Sequence, residues 1–533
     1  MIRLKKQFSY KSFFSVLRNE LSTSSVKEPR PFNEIPGPKP IPVLGTLWMY
    51  WPIIGKYRWS ALHHTGMKKY KTWGSLIREP VAPGVTLLWV YEPDDIATIL
   101  RDEGQNFFPE RRSHLALQKF REDRPHVYNS GGLLPTNGAE WWKLRSEFQK
   151  GLSAPHCARQ FFKSADQITS EFCHHINEIA SDCKDFLPEI SRLNLELVCY
   201  MAFDTRMNSF SKEELDSHSR SSRLIKAAED TNSCILGTDQ GIGLWKFIPT
   251  LKYKKLERAQ KYMESVAVDL VSQKFSYYTD ATAAESGSKS LLENYIYNPK
   301  LDFRDIIGMA ADLLLAGVDT TSYATSFALY HLAINPHVQE KLYEESLKIL
   351  ETKNSPMTLE SFQNASYARA VLKESLRLNP ISVGVGRIIK KDTILSGYHI
   401  PAGTVAVTQN QVICRLEKNF PEADKFLPER WLKSNKSVSR MRNKDSQNFT
   451  NEINKFDIKD TFQVPHPFLS LPFGYGMRSC VARRFAEQNI QVLLLRLIRN
   501  FEISWGGTTL DSKTFLINKP DQPLNFKFRL RSN

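Results

Sequence analysis

The chain has 533 residues, of which 41% are hydrophobic and 24% are charged, and its formal net charge is +15. These fractions exclude a disordered or fibrous protein, and the length is sufficient for a large core that could enclose a cofactor. The sequence shows no zinc-finger spacing, no aromatic RNA-binding motif and no long basic run. The positive charge therefore indicates a membrane surface or an acidic protein partner, and no nucleic acid.

The first thirty residues form a basic, Ser-rich and amphipathic segment. They contain seven Lys or Arg side chains and two acids. This composition is typical of a mitochondrial presequence, and a frayed basic tail is the alternative. We expect residues 1–30 to be a targeting presequence, removed between residues 20 and 30, and residues 31–533 to be the folded domain. No apolar run approaches the roughly 20 residues needed to span a bilayer.

Helical patterns dominate the chain after a proline-dense, extended lead-in at Pro29–Gly45 and a first strand within Gly84–Pro93. The clearest helix runs from Asp302 to Asn335 and is stopped by Pro336. It is roughly 50 Å long at 1.5 Å per residue. Because it is apolar nearly all round, we expect it to lie buried in the middle of the protein.

A second predicted helix, "SYARAVLKESLRL", precedes Asn379-Pro380, and short strands and turns follow it. Residues 433–460 are polar and predict an extended surface loop. The overall prediction is a mainly α protein with small β-sheets, of class α+β, built around the long central helix.

Cys480 lies in the stretch "FGYGMRSCVARRFAE". Gly474 and Gly476 allow a tight turn before it, and a helix is predicted from Ala482. The helix N-terminus and Arg478 would favour thiolate over thiol. Such a thiolate suits one axial bond to haem iron, whereas the plainer alternative is a buried core cysteine. The other six cysteines form no C-x-x-C pair and the total is odd, so we expect no disulfide framework and a reducing compartment.

Three further patterns indicate buried polar groups. Glu374 and Arg377 lie at i, i+3 among leucines, and Arg430 in "LPERW" is a candidate third partner. In the long helix, "AGVDTT" (Ala316–Thr321) predicts either a kink or a groove for a small polar ligand beside a proton donor. Trp141 and Arg145, at i, i+4, would suit a buried carboxylate.

Together these motifs resemble the cytochrome P450 family of haem-thiolate monooxygenases over roughly residues 35–530. The haem-loop pattern F-x-x-G-x-R-x-C-x-G is met except at its last position, where Ala482 replaces glycine. The resemblance implies the P450 fold, with the long helix crossing haem b. It assigns the following residues: Cys480 as axial iron ligand; Phe473, Gly476 and Arg478 in the haem loop; Trp141, Arg145, Arg387 and Arg478 on the haem propionates; Asp319 and Thr320 as the catalytic proton relay to dioxygen; Glu374, Arg377 and Arg430 as a structural lock.

The presequence resembles that of mitochondrial P450s, whose electrons come from an adrenodoxin-type ferredoxin and its reductase. Arg369 and Lys373 align with the ferredoxin-docking pair of that class, and Arg484 could extend the patch; ordinary exposed basic residues are the alternative. We expect a peripheral protein on the matrix face of the inner mitochondrial membrane.

Two stretches, Arg111–Ser153 and Ser479–Asn489, resemble the arthropod Halloween group of ecdysteroid-synthesising P450s, and within it the 22-hydroxylases. The implied reaction converts 2,22-dideoxyecdysone, a lipophilic steroid, to 2-deoxyecdysone. Hydroxylation of another ecdysteroid carbon and detoxification of xenobiotics stay open within the family. A haem-thiolate isomerase or dehydratase, or a haem sensor without turnover, would belong to other classes. The Asp319-Thr320 pair argues against these.

Two histidine pairs, His63-His64 and His174-His175, superficially resemble metal ligands. Adjacent residues point to different faces of a helix or strand, so we predict solvated histidines at both places.

Overall fold

The computed structural model describes residues 28–101, 103, 107–179, 183–240, 243–279, 290–432 and 465–532. Residues 1–27 of the predicted presequence and the predicted loop at 433–460 lie outside the described residues. Arg30 is already part of the fold, because its backbone N–H donates to Gly397 O at 2.9 Å beside a β-hairpin.

Helices make up most of the described structure. In chain order they are α1 (Leu62–Trp73), α2 (Pro93–Arg101), α3 (Leu115–Glu122), α4 (Gly138–Leu152), α5 (Pro155–Gln160), α6 (Phe162–Ile179), α7 (Leu187–Phe203), α8 (Arg220–Asp239), α9 (Leu251–Thr279), α10 (Leu291–Ile296), α11 (Phe303–Ile334), α12 (Pro336–Ile349), α13 (Leu359–Gln363), α14 (Ser366–Leu378), α15 (Asn410–Ile413) and α16 (Arg483–Asn500).

The strands are short and form small sheets. In chain order they are β1 (Leu76–Ala82), β2 (Val85–Val90), β3 (Gly386–Ile388), β4 (Thr393–Leu395), β5 (Tyr398–Ile400), β6 (Val405–Thr408), β7 (Phe501–Trp505), β8 (Ser512–Thr514), β9 (Asn518–Pro520) and β10 (Phe526–Leu530). One sheet has the order β1-β2-β6-β3, in which β2 and β6 are parallel and the other neighbours antiparallel. Three antiparallel pairs, β4/β5, β7/β10 and β8/β9, complete the set. The predicted class, mainly α with small β-sheets, is confirmed.

Helix α11 has the boundaries that its sequence predicts. The Asp302 carboxylate accepts from the N–H groups of Arg304 (2.8 Å) and Asp305 (3.0 Å), and Asp305 accepts from the Asp302 N–H in return. This capping box satisfies donors that the first helical turn leaves free. The helix ends at Ile334, and Pro336 begins α12, because proline cannot donate to the preceding turn.

The same helix joins two hydrophobic cores. Its first part, Ile306–Val318, packs in a cluster with α8 and α9, whereas Tyr323–Ala333 packs in a second cluster with α14 and α16. The polar "DTT" residues fall at the junction between the two clusters. The fold therefore places these polar groups midway along the helix, where Asp319 is buried and the two threonines stay partly exposed.

None of the helices in the described residues has both the length and the apolar character that crossing a membrane requires. All seven cysteines are free, as the odd count and the spacing predict.

Candidate functional site

A cavity of about 240 Å³ lies between the middle of α11 and the segment that leads into α16. Thr320 of α11 lines one side, and Cys480 lies in the segment on the other. Helix α4 contributes Trp141 and Arg145, and Arg478 precedes the cysteine. The structure thus brings together residues predicted from three separate motifs.

The loop before Cys480 is a tight turn that needs its glycines. Gly474 and Gly476 have φ angles of +71° and +67°, which side chains rarely adopt. A Cβ on Gly476 would also lie 3.2 Å from a carboxylate oxygen of Glu103. The turn closes where the Cys480 N–H donates to Phe473 O at 2.8 Å. Phe473 and Gly476 therefore shape the loop and do not line the cavity.

Cys480 is exposed, and because it lines the cavity, its exposed surface faces inward. The surrounding protein desolvates the thiol and raises its pKa above the ordinary value, although the Ala482 N–H and the nearby Arg145 and Arg483 guanidiniums oppose this shift. The predicted role of Arg478 in stabilising the thiolate is therefore taken by Arg145 and Arg483. Helix α16 begins at Arg483, one residue later than predicted. At the departure from the haem-loop pattern, Ala482 has φ −100°, so its side chain is accommodated without strain.

Three guanidiniums face the cavity with neutral partners only. Arg145 donates to Ser479 O at 2.8 Å, and Arg111 donates to Leu134 O at 2.6 Å. Arg478 donates to Pro109 O at 2.9 Å, and its other hydrogen bonds also go to a carbonyl and an amide oxygen. Among the described residues none of these three arginines forms an ion pair.

Their shared burial is electrostatically unfavourable. Desolvation, with the neighbouring Arg111 and Arg387, lowers the pKa of Arg478 to about 8, and desolvation with Arg387 lowers the pKa of Arg111 to about 10. An anionic ligand would relieve both effects. Arg111 was not found from the sequence, because "PERRSH" lies in irregular chain without periodicity or a recognisable motif.

The haem expected from the resemblance fits this cavity. Its carboxylates would meet unpaired guanidiniums, and its iron would meet a cysteine sulfur. The Trp141 indole, over which the Arg478 guanidinium lies at 4.3 Å, supplies an apolar surface. Positive charge, sulfur ligand and apolar wall thus occur in one enclosed space.

Arg387 is not among the residues that line this cavity, and its predicted contact with a haem propionate stays a prediction. Arg387 pairs with Glu103 and also donates to Tyr475 O at 3.3 Å. Its charge is therefore satisfied by a carboxylate of the chain itself. The sequence could not predict this ion pair, because Glu103 lies 284 residues away from Arg387.

Asp319 and Thr320 point in different directions from α11. The Thr320 hydroxyl lines the cavity and donates to Ala316 O at 2.6 Å. Asp319 is 2% exposed, does not line the cavity, and accepts from the Asn232 amide at 2.9 Å. Of the predicted pair, the Thr320 hydroxyl thus lies in the cavity, whereas the Asp319 carboxyl lies outside it against Asn232.

The environment of Asp319 keeps much of it protonated near neutral pH. Burial raises the pKa of its carboxyl to about 7, although the hydrogen bonds from Asn232 and Tyr323 and the charge of Lys519 oppose the shift. Within the described part of the chain, Asp319 forms no ion pair. Asn232 lies on α8, so only the packing of α8 on α11 reveals this partner.

Glu374, Arg377 and Arg430 meet in a closed, buried network. Arg377 makes two hydrogen bonds to Glu374, at 2.9 and 2.8 Å, and three more to backbone carbonyls. Arg430 and the Trp431 indole donate to the same carboxylate at 3.1 and 2.9 Å. Every charge here has an opposite charge within the chain.

The predicted docking residues lie on the surface. On α14, Arg369 is half-buried and Lys373 is exposed, and at the start of α16 Arg484 is exposed. Neither Arg369 nor Lys373 forms an ion pair with any other residue that the structure describes. Their charge is therefore available to a partner.

Comparison with known proteins agrees with this geometry. The cytochrome P450 family profile matches residues 35–528. The chain is 47% identical over 506 residues to "Cytochrome P450 302a1, mitochondrial" of Drosophila melanogaster, covering 94% of this chain and 96% of that protein. It is 30% identical to "Probable cytochrome P450 301a1, mitochondrial", with 95% and 88% covered, and 26% identical to "Ecdysone 20-monooxygenase", with 93% and 88% covered, both of the same species.

The matched span includes every residue that lines the cavity, from the α4 side chains to the cysteine loop. The chain therefore belongs to the cytochrome P450 family, the monooxygenases that carry haem b on an axial cysteine thiolate.

Proposed function

We propose that this monooxygenase is a mitochondrial ecdysteroid 22-hydroxylase, which converts 2,22-dideoxyecdysone to 2-deoxyecdysone with electrons from an adrenodoxin-type ferredoxin. The observation that carries the proposal is the 47% identity to a mitochondrial P450 over nearly the full length of both chains. A second relative is named for the hydroxylation of ecdysone, which supports a steroid substrate. The choice of carbon 22 rests on the resemblance of residues 111–153 and 479–489 to the 22-hydroxylases.

In this proposal, Cys480 is the axial ligand, and Arg111, Arg145 and Arg478 hold the haem propionates. Bound haem supplies the activation of dioxygen and the insertion of one oxygen atom into a C–H bond. Trp141 covers one side of the cofactor. Arg387, which pairs with Glu103 in this structure, stays the fourth predicted propionate partner.

Asp319 and Thr320 divide the handling of protons between them. A carboxyl with a pKa of about 7 can both release and accept a proton at physiological pH. The Thr320 hydroxyl donates its hydrogen bond to Ala316 O. The lone pairs of the hydroxyl oxygen therefore remain to accept a hydrogen bond from a water in the cavity. We infer that Thr320 binds such a water. We infer also that Asp319, on the side of the helix away from the cavity, supplies protons to that water.

The partner side of the proposal rests on α14. Arg369 and Lys373 present unpaired positive charge, and Arg484 adds to it across the start of α16. An acidic ferredoxin would be attracted by such a patch, mainly through its association rate. The helix carrying this patch also carries Glu374 and Arg377, so a docked partner would rest on a helix that a buried ion pair anchors.

We also propose a peripheral position on the matrix face of the inner membrane. Two segments expose large apolar side chains: Ile53 is 95% exposed in the first, and Leu251 is 86% exposed in the second. Such groups with basic neighbours bind the interface of anionic membranes. The apolar side chains concerned are Val43, Trp51, Ile53 and Ile54, and Leu244, Phe247, Ile248 and Leu251.

The test is a turnover assay with the chain from residue 28, a mitochondrial ferredoxin, its reductase and NADPH. We expect 2,22-dideoxyecdysone to give one product with the mass and retention of 2-deoxyecdysone. A product hydroxylated at another carbon would replace the 22-hydroxylase proposal with another ecdysteroid hydroxylase. Turnover of unrelated lipophilic compounds alone would favour detoxification.

A spectroscopic control separates cofactor binding from substrate choice. The Cys480→Ala variant should lose the thiolate-ligated haem spectrum of the reduced carbon monoxide complex. An unchanged spectrum would overturn the assignment of the ligand, whatever the steroid assay shows.

A further inference from the structure

Three potential metal ligands from opposite ends of the chain meet at one point on the surface. The Nε2 atom of His63 lies 3.0 Å from one carboxylate oxygen of Asp511, and the Nε2 atom of His64 lies 2.7 Å from the other. The ligand atoms all lie within 4.8 Å of one another. The sequence prediction of separately solvated histidines is therefore wrong for this pair. For His174-His175 the prediction is confirmed for His174, which is exposed, and wrong for His175, which is buried and meets the carboxylate of Glu189.

The convergence arises because the carboxylate lies across the first turn of α1. Adjacent side chains on a helix diverge by about 100°, but both can reach one group placed between them. Asp511 is fixed on the β8 side by two bonds: its N–H donates to Asp521 at 3.0 Å, and its Oδ1 accepts from the Ser512 N–H at 2.7 Å. The Asp511 carboxylate is thus held in position. The two imidazole rings that contact it have their centroids 4.0 Å apart.

Two imidazoles and one carboxylate form a common ligand set for a divalent transition metal, with water in the fourth position. Ligand atoms around tetrahedral zinc are about 3.3 Å apart, given bonds of about 2.0–2.2 Å. The two present separations of 3.0 and 2.7 Å need only a small expansion. His64 has 61% of its side chain exposed, so it is free to make that adjustment.

Other His–carboxylate contacts in the described residues have only one histidine. His399 lies 3.1 Å from Asp392, and His466 lies 3.3 Å from Asp94. Such pairs are ordinary surface hydrogen bonds. The group of His63, His64 and Asp511 differs from them because it supplies three ligand atoms at once, on the wall of an open surface cavity through which an ion can enter.

We propose that His63, His64 and Asp511 bind one divalent transition-metal ion of the zinc class. The ion joins α1, near the start of the domain, to the β8/β9 hairpin at its end, across 447 residues of sequence. The same hairpin carries Lys519, which pairs with Glu229 of α8 at 3.0 Å. A metal at this position therefore restrains a hairpin that packs against the helices around the cavity.

The experiment is zinc titration of the purified, haem-loaded protein by calorimetry, with metal content measured after gel filtration. We expect one zinc per chain in the wild type, and affinity at least about tenfold weaker in both His63→Ala and Asp511→Asn, since each removes one of three ligands. His399→Ala is the matched control, because it removes a histidine from a one-histidine pair, and it should bind zinc like the wild type.

Hydrogen exchange provides a second measurement that reports on position. Zinc should slow exchange in residues 511–521 of the wild type and leave the exchange of Asp511→Asn unchanged. Equal zinc affinity in wild type and Asp511→Asn, or protection confined to other segments, would overturn the proposal. Because both measurements use the resting protein, they do not depend on which steroid it hydroxylates.

Discussion

Two groups of buried arginines differ in whether the chain supplies them with a carboxylate. Around Glu374, the guanidiniums of Arg377 and Arg430 meet an acid and backbone carbonyls. Around the cavity, Arg145 and Arg478 have only neutral acceptors. In the first region the chain itself supplies the counterion, whereas in the second we propose that the haem propionates supply it. We therefore expect stability and cofactor binding to depend on different arginines.

The largest effect on folding should come from removing the carboxylate of the first region. In Glu374→Ala, two buried guanidiniums lose their counterion, and the free energy of unfolding should fall by about 3–5 kcal/mol. Chemical denaturation measures this directly. The control is Glu429→Gln, which changes the glutamate next to Arg430 that pairs with Lys341 at 2.8 Å. This variant should lower the free energy of unfolding far less. A stable Glu374→Ala protein would remove the distinction between the two regions.

The next prediction concerns the second region. Arg478→Leu removes a buried charge that has no ion-pair partner among the described residues, so the fold should persist while haem is retained less tightly. The loss of a charged hydrogen bond, about 1.5–3 kcal/mol, corresponds to roughly 10–100-fold weaker retention of haem. Haem content per chain, and haem transfer to an apo-globin, would show it. Arg529→Leu, an exposed arginine paired with Glu502, is the control and should retain haem. If the Arg478→Leu apoprotein unfolded, Arg478 would instead be a residue that stabilises the fold.

Asp319 extends the comparison to a buried acid without a cation. Its pKa is raised to about 7 in the folded state and would be near 3.9 in the unfolded state, so the folded state binds more protons between these values. Its contribution to stability is therefore greatest at low pH and is lost as pH rises toward 7, by up to about 1.4 kcal/mol per pH unit. The difference in unfolding free energy between wild type and Asp319→Asn should vary with pH in that sense. A difference that is flat from pH 4.5 to 7.5 would contradict the raised pKa.

The smallest effect on folding is expected at the exposed cations of α14. The double variant Arg369→Glu, Lys373→Glu should have a free energy of unfolding within about 0.5 kcal/mol of the wild-type value, because surface charges contribute little to stability. The KM for ferredoxin should rise, and more so at low salt, since screening weakens the attraction. Lys212→Glu, Lys261→Glu is the control of equal charge. Equal KM values in the two double variants would move the docking site elsewhere.

Much of the fold could be predicted from local sequence. The bounds of α14 agree with the predicted "SYARAVLKESLRL" helix, and α11 begins and ends at its predicted cap and proline. Likewise, Gly474 and Gly476 have the positive φ angles that a tight turn demands. These features depend on caps, periodicity and backbone freedom within a few residues, which are properties that a linear sequence contains.

The sequence by itself determined the helical class, the long central helix, the cysteine loop and the family to which the chain belongs. Only the tertiary structure decided which charges meet. It paired Arg387 with Glu103, placed Arg111 on the cavity, turned Asp319 toward Asn232, and brought His63 and His64 to Asp511. The physical reason is that electrostatic and hydrogen-bonding partners are chosen by distance in space. Packing sets that distance between residues that can be hundreds of positions apart.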